Sequence, residues 1–321
     1  MSLTELPPLS SWPSMSVDRY AGFEAATGVK VARIGGIWWQ QVRPFLFRPL
    51  LPFKKYDVEA VKKGLGRIAV FQSAVEDGQS SNSHLNPVVY EKPQNYDSEK
   101  LHRMARRSLK KAFQNSITLS CAADEEEFSK LAYPVYLSFY KRTRYRFNTS
   151  RREREKFGRW AHALFQFPEV IVLCACVGQE FIAFEVACLV GNTLILKTLV
   201  TSDRALRLGA PDLLLHCYRS GARDHPQIRL IYDSMLSANS GLNNYKVMRG
   251  ATVLALPAFL NIRPSVLWMI RKASPSVYEK LLGLDLPRLQ AEGLDKSVAP
   301  KDFGAGGEAG LLNTAPENIK N

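Results

Sequence analysis

Glu185 is a residue whose surroundings need a chemical explanation. It interrupts the apolar run IAFEVACLV (Ile182–Val190), and an acid there must face solvent, a cleft or a partner base. On strand alternation it shares a face with Ala183 and Ala187, whose small side chains leave room for a ligand. A carboxyl in such a cleft, held above its ordinary pKa, suits a general base. An exposed or salt-bridged acid is the competing reading. Lys197 is a second anomaly, a cation beside Thr198 near the middle of TLILKTLV (Thr193–Val200). Arg204 and Arg207 flank a loop leading to Pro211, a residue suited to the first turn of a helix. A helix N-terminus attracts a pyrophosphate and arginines strengthen it, although two surface arginines read the same way. Lys246 is either an anion contact or a solvated lysine, and Asp233 either orients a substrate or caps a turn.

Other chemistries are not spelled out. His84, His102, His162, His216 and His225 show no metal-ligand spacing. There is no Ser-His-Asp pattern, Walker loop or dinucleotide fingerprint. The five cysteines form no C-x-x-C pair and three lie in apolar runs, so they read as buried small residues in a reducing compartment. The residues offer proton transfer and anion binding, with no metal.

The elements that must position these residues form an ordered series. Ile117–Ala122 reads as a strand. Asp124 caps a helix with Phe128, Leu131, Ala132, Val135, Tyr136 and Phe139 on one face, and Ser150 caps another that Pro168 stops near Phe167. Strands at Val170–Val177, Glu180–Val190 and Thr193–Val200 are joined at Gly178-Gln179 and Gly191-Asn192, which are hairpin signals. A loop, Ser202–Pro211, leads into a helix from Pro211 to about Ala222. A strand (Ile228–Met235), a helix around Gly241–Gly250 and a strand (Thr252–Asn261) follow, giving the order β-α-α-β-β-β-α-β-α-β. Upstream, residues 1–30 lack a sustained period, Val31–Phe53 reads as strands and turns, Gly66–Phe71 as a strand and Glu76–Asn86 as a polar loop. A helix starts at Asp97 or Ser98. Val266–Leu284 suits one or two amphipathic helices, and the chain beyond about Leu286 has the composition of a disordered tail.

With 46% hydrophobic residues in 321, the chain buries a substantial core. No apolar stretch approaches the roughly 20 residues that span a bilayer, and the N-terminus lacks a basic region followed by an apolar run, so a cytoplasmic protein is expected. The net charge of +13 is concentrated: residues 100–115 carry six bases and no acid, and residues 141–159 carry nine bases against Glu153 and Glu155. Such density favours a polyanionic partner. In Arg144-Tyr145-Arg146-Phe147 aromatics alternate with bases, as nucleic-acid sites often have.

Three stretches carry a family resemblance. Arg106-Arg107-Ser108-Leu109-Lys110-Lys111-Ala112 is similar to the basic helix that precedes the strand series of FemAB-like members of the GNAT acyltransferase superfamily. Leu208-Gly209-Ala210-Pro211-Asp212-Leu213-Leu214-Leu215 resembles their small-residue loop and cofactor-facing helix. Tyr232-Asp233-Ser234 followed by Gly241-Leu242, Tyr245-Lys246 and Gly250 resembles their ending. The resemblance covers roughly Asp97–Asn261. The loop departs from the standard GNAT pattern, with Leu206 where Gln or Arg is usual and Pro211 where Gly or Ala is usual.

The resemblance implies an α/β (α+β) fold with a mixed, mostly antiparallel central sheet flanked by helices. The expected organisation is a strand-rich region (1–96) containing the remnant of a first GNAT-like half, the acyltransferase domain (97–265), a helical extension (266–290) and a disordered tail (291–321). It implies N-acyl transfer from a thioester, acyl-CoA (acetyl-CoA) first, to a small amine or peptide-like acceptor. Tyr245 would protonate the leaving sulfur, with Glu185 as base and Lys246 beside them. The donor's arm would lie along Lys197, Leu199 and Val200, and its phosphates near Arg204, Arg207, Gly209, Ala210 and Asp212. FemAB-type enzymes instead use aminoacyl-tRNA, and a catalytically silent scaffold binding RNA or anionic membrane is a third reading. Residues 100–115 and 141–159 would meet tRNA, an acyl carrier protein or a membrane, which is compatible with a peripheral position at the inner membrane face.

Overall fold

The computed structural model describes residues 3–4, 11–43, 46–65, 70–143, 149–237 and 240–283. The N-terminal part forms β1 (Leu3–Thr4), β2 (Ser14–Met15), α1 (Val17–Ala26), β3 (Val31–Ile34), β4 (Ile37–Arg43), β5 (Leu46–Pro49), α2 (Val58–Leu65), β6 (Val70–Ala74), β7 (Ser83–Leu85) and β8 (Pro87–Glu91). Next come α3 (Arg103–Gln114), β9 (Ile117–Ala122), α4 (Glu125–Thr143), α5 (Arg154–Phe165), β10 (Val170–Val177), β11 (Glu180–Val190) and β12 (Thr193–Thr201). The chain continues through α6 (Asp203–Leu208), α7 (Ala210–Asp224), β13 (Leu230–Met235), α8 (Ser240–Val247), β14 (Thr252–Val253), β15 (Leu256–Asn261), α9 (Pro264–Ala273) and α10 (Pro275–Leu282).

Two sheets result. The main one runs β1-β9-β10-β11-β12-β13-β8-β14, with β2 pairing in parallel to the end of β11. It is mostly antiparallel, and β12–β13 is a parallel pair. The second runs β3-β4-β5-β6-β15-β7. The mixed, helix-flanked architecture is the expected one. Strands from the first 96 residues build into both sheets, since β8 lies between β13 and β14. A line between residues 96 and 97 therefore cuts through the main sheet.

The main sheet has a core on each face, because the near-continuous apolar strands β10 and β11 are buried on both sides. Phe184, Val186, Cys188, Ile195 and Val200 face α1, α4 and α5 through Tyr20, Phe23, Phe128, Tyr136, Phe157 and Trp160. Ala183, Ala187, Leu194 and Leu196 face α7 through Leu214, Tyr218 and Ala222.

Several local expectations differ from the structure. Residues 17–26, aperiodic in sequence, are helix α1, with Ser16 Oγ accepting from Arg19 N at 3.2 Å. The helix expected from Asp97 is a single turn at Ser98–Lys100, and α3 restarts after His102. Ser202 caps α6 inside the expected loop, accepting from Ala205 N at 3.1 Å. Glu76–Asn86 contains β7. The last strand divides, with β14 in the main sheet and β15 in the second, because Leu254 and Ala255 carry the chain from one to the other. Arg144–Phe147, Gly66–Ala69 and the tail from residue 284 lie outside the described residues.

Candidate functional site

The site grows from a fork in the main sheet. β12 and β13 pair only over Thr193–Ile195 and Leu230–Tyr232. Beyond that the register does not continue, and Leu196–Thr201 and Asp233–Met235 part. Each strand has an irregularity at the parting point. Ala187 pairs with Leu196 and Val186 with Thr198, so Lys197 is an extra residue in β12. Tyr232 pairs with Val89 and Ser234 with Val88, so Asp233 is an extra residue in β13. Bulges bend a strand and re-aim a side chain. They send Lys197 and Asp233 to different polar clusters.

On the α7 face, Glu185 lies across β11–β12 from Leu199. It is 5% exposed, and among the described residues its Oε2 has no hydrogen-bond partner. Desolvation raises its pKa to about 8, the negative charge of Asp233 adds to the rise, and Lys246 offsets part of it. Lys246 donates to Asp233 Oδ1 at 2.6 Å and to Ser234 Oγ at 2.7 Å. That ammonium is tethered to the bulge.

Tyr245 completes this face. The Arg249 guanidinium lies 3.3 Å from the centroid of its ring, as the four-residue helical spacing allows. Arg249 also donates to Asp212 Oδ1 (2.5 Å) and Oδ2 (2.9 Å) and to the Tyr245 carbonyl (2.8 Å). Ser108 Oγ donates to Asp212 Oδ2 at 2.6 Å. The phenol is pushed well above its ordinary value by burial and then by Asp212, with Arg249 opposing, so it stays protonated at any physiological pH. Tyr245, Glu185 and Lys246 thus share one face.

Lys197 stands apart. It faces the α1 side, forms an ion pair with the buried Glu24 and donates to Tyr20 Oη at 3.1 Å. Val200 also faces that side, opposite Phe184. Arg204 pairs with Glu180, and Arg207 is exposed.

The Gly209 loop is closed. Gly209 has φ +84, and a Cβ there would meet the Ser108 carbonyl oxygen at 2.4 Å. The loop therefore packs directly on α3. Pro211 lacks an N–H, and the amides of Asp212 and Leu213 both bond to Gly209 O. The Asp212 carboxylate, ligated by Arg249 and Ser108, adds negative charge where the resemblance implies phosphates.

Arg249, Ser108 and Glu24 are the residues that sequence reasoning passed over. Only Arg249 left a signal, its position four after Tyr245. The Asp212–Arg249 pair spans 37 residues and follows from tertiary packing alone. His216 bonds through Nδ1 to Tyr96 Oη at 2.8 Å. Among the described residues no group of three or more His, Cys, Asp or Glu is arranged to hold a metal ion.

This geometry can be set beside known proteins. No family model matches the chain, and no curated protein matches it in sequence. Solved structures do. FemX superposes with a TM-score of 0.55 at 10% identity, over 84% of this chain and 99% of its own. The C-terminal domain of an assigned lysylphosphatidylglycerol synthetase from Agrobacterium fabrum gives 0.52 at 10% identity, over 78% and 90%. L-PGS from Bacillus licheniformis gives 0.51 at 10% identity, over 85% and 99%. The chain has the fold of these proteins. The FemAB-like resemblance holds at the level of fold, across most of the chain.

Proposed function

We propose that the protein transfers an acyl group from an activated ester or thioester to an amine, at the fork between β12 and β13. The observation that carries this reading is Glu185, a buried carboxyl whose Oε2 has no hydrogen-bond partner among the described residues, beside an opened strand edge. Buried polar atoms are nearly always paired, and an exception at a fork points to a missing partner. An amine attacking the acyl carbonyl forms the new C–N bond and gives its proton to Glu185 Oε2. The bond to the leaving oxygen or sulfur breaks, and Tyr245, kept protonated, supplies a proton to it. The backbone of Leu196–Thr201 facing the fork offers hydrogen bonds to an extended donor arm.

The donor this arrangement favours is an aminoacyl ester carried on RNA. The Gly209 loop has few amides to offer a pyrophosphate, whereas α3 exposes Arg103, Arg106, Arg107, Lys110 and Lys111 on one face. Of these, and among the described residues, only Arg106 has an acid within ion-pair distance, Glu99 at 3.9 Å. The likeness to FemX and to lysylphosphatidylglycerol synthetase domains supports the same choice. Acyl-CoA is the second reading, favoured by the open β12 edge, which would suit an amide-bearing arm. The test offers radiolabelled aminoacyl-tRNA and acyl-CoA in parallel, with hydroxylamine as a small acceptor. Hydroxamate formed from aminoacyl-tRNA and lost in Glu185→Gln is expected. Turnover with acyl-CoA alone would reverse the donor assignment, and none with either would refute acyl transfer.

A further inference from the structure

We infer that α9 is a docking helix for an anionic lipid surface. The inference stands on a helix that contributes no residue to the fork, and it does not depend on the proposed reaction. α9 packs inward through Leu267 and Ile270, against a small cluster with Leu46, Leu260 and Leu281. No residue of the helix is fully buried, so it lies on the surface. Its outer side carries two consecutive large apolar residues, Trp268 at 59% and Met269 at 53% exposure. Val277 of the following helix, at 43%, is also exposed. Large apolar side chains exposed side by side mark an interaction site.

The charges around them decide the partner's chemistry. Arg263, Arg271, Lys272 and Lys280 accompany these residues, and Glu279 is the one acid between Arg263 and Gly283. Lys272 Nζ lies 5.0 Å from the Trp268 ring and Arg271 Cζ lies 5.6 Å from the Tyr278 ring. Lys272 thus lies beside the exposed Trp268, and Arg271 precedes it on the same helix. A helix with tryptophan and aliphatic bulk beside bases lies in a headgroup region, where the apolar groups enter the acyl boundary and the basic stems reach back to phosphates. A fluid interface accepts these side chains without a complementary hole, and its negative potential matches their charge.

Sedimentation of the full chain with vesicles tests this. Phosphatidylcholine alone should retain little protein, and phosphatidylcholine mixed with phosphatidylglycerol should retain much more, with roughly fivefold in affinity per base engaged. Trp268→Ser with Met269→Ser should weaken binding about tenfold or more, with an unchanged thermal melt because both side chains are exposed. Arg271→Glu with Lys272→Glu should do the same and reduce the salt dependence. The vesicle-induced blue shift of the fluorescence should vanish in Trp268→Phe. Absence of binding to anionic vesicles overturns the inference. So does wild-type binding by the double serine variant, or loss confined to Arg107→Glu with Lys111→Glu, which would place the contact on α3. Binding that survives the serine changes and is displaced by RNA overturns it in favour of a nucleic acid.

Discussion

The two faces of the fork each hold a buried glutamate, and they treat it in opposite ways. Glu24, 1% exposed, is neutralised by Lys197, which also bonds Tyr20. Glu185, 5% exposed, has no cation bonded to its carboxylate among the described residues, and Lys246 is committed to Asp233 and Ser234. A buried acid with its own cation can remain charged and holds elements together. One without a cation binds its proton more tightly and becomes available for proton transfer near neutral pH. The same residue type is a clamp between α1 and β12 on one side and, in the proposed reaction, the proton acceptor on the other.

The largest expected effect separates the two by activity. Glu185→Gln should lower acyl-transfer turnover by roughly 10²- to 10⁴-fold while the fold persists. Glu24→Gln should leave the rate per folded molecule within a few-fold. Equal losses in steady-state assays normalised to folded protein would abolish the distinction. Second, Asp212→Ala strands the buried Arg249 beside Tyr245. A loss of about 3–5 kcal/mol is expected in denaturant unfolding, as for other buried pairs missing one member. A smaller loss would mean that water reaches the guanidinium.

Third comes pH. Glu185 has a folded pKa of about 8 against an ordinary 4.5, so between these values the folded state binds more protons than the unfolded one. Stability therefore falls as pH rises through that window and levels off above it, with a total of a few kcal/mol. Unfolding followed from pH 5 to 9 should show this slope in wild type and a flatter one in Glu185→Gln. Last, Glu24→Gln should cost roughly 2 kcal/mol, because Lys197 is partly exposed and keeps some hydration. Glu24→Leu with Lys197→Met should recover most of it. Failure of that rescue in thermal melts would show that the pair does more than neutralise itself.

The sequence was informative where local patterns suffice. The run IAFEVACLV marked Glu185 because an acid among apolar strand residues violates patterning, and its face followed from alternation. Lys197 was equally conspicuous, yet its destination depended on a bulge, which shifts side-chain direction by one residue and leaves no residue-type signature. α1 was hidden because its apolar positions, Tyr20, Ala21 and Phe23, fit a helix only once Met15, Phe167 and the sheet are beside them. The Gly209 loop resembled a phosphate cradle. What closes it is Ser108, far earlier in the chain, through a backbone contact that no motif encodes.

The division of the last strand between two sheets bears on how the chain is made. β15 lies between β6 and β7, filling a slot prepared by residues near 70 and 85. β8 likewise waits for β13 and β14. During synthesis the early strands therefore leave the ribosome with unsatisfied edges, and nothing can close them until residue 261 has followed. At roughly 5–20 residues per second, that is an interval on the order of ten to forty seconds in which open edges invite pairing with other chains. The vulnerable period in this protein's life is its own translation, and a chain truncated before Asn261 should be found in inclusion bodies.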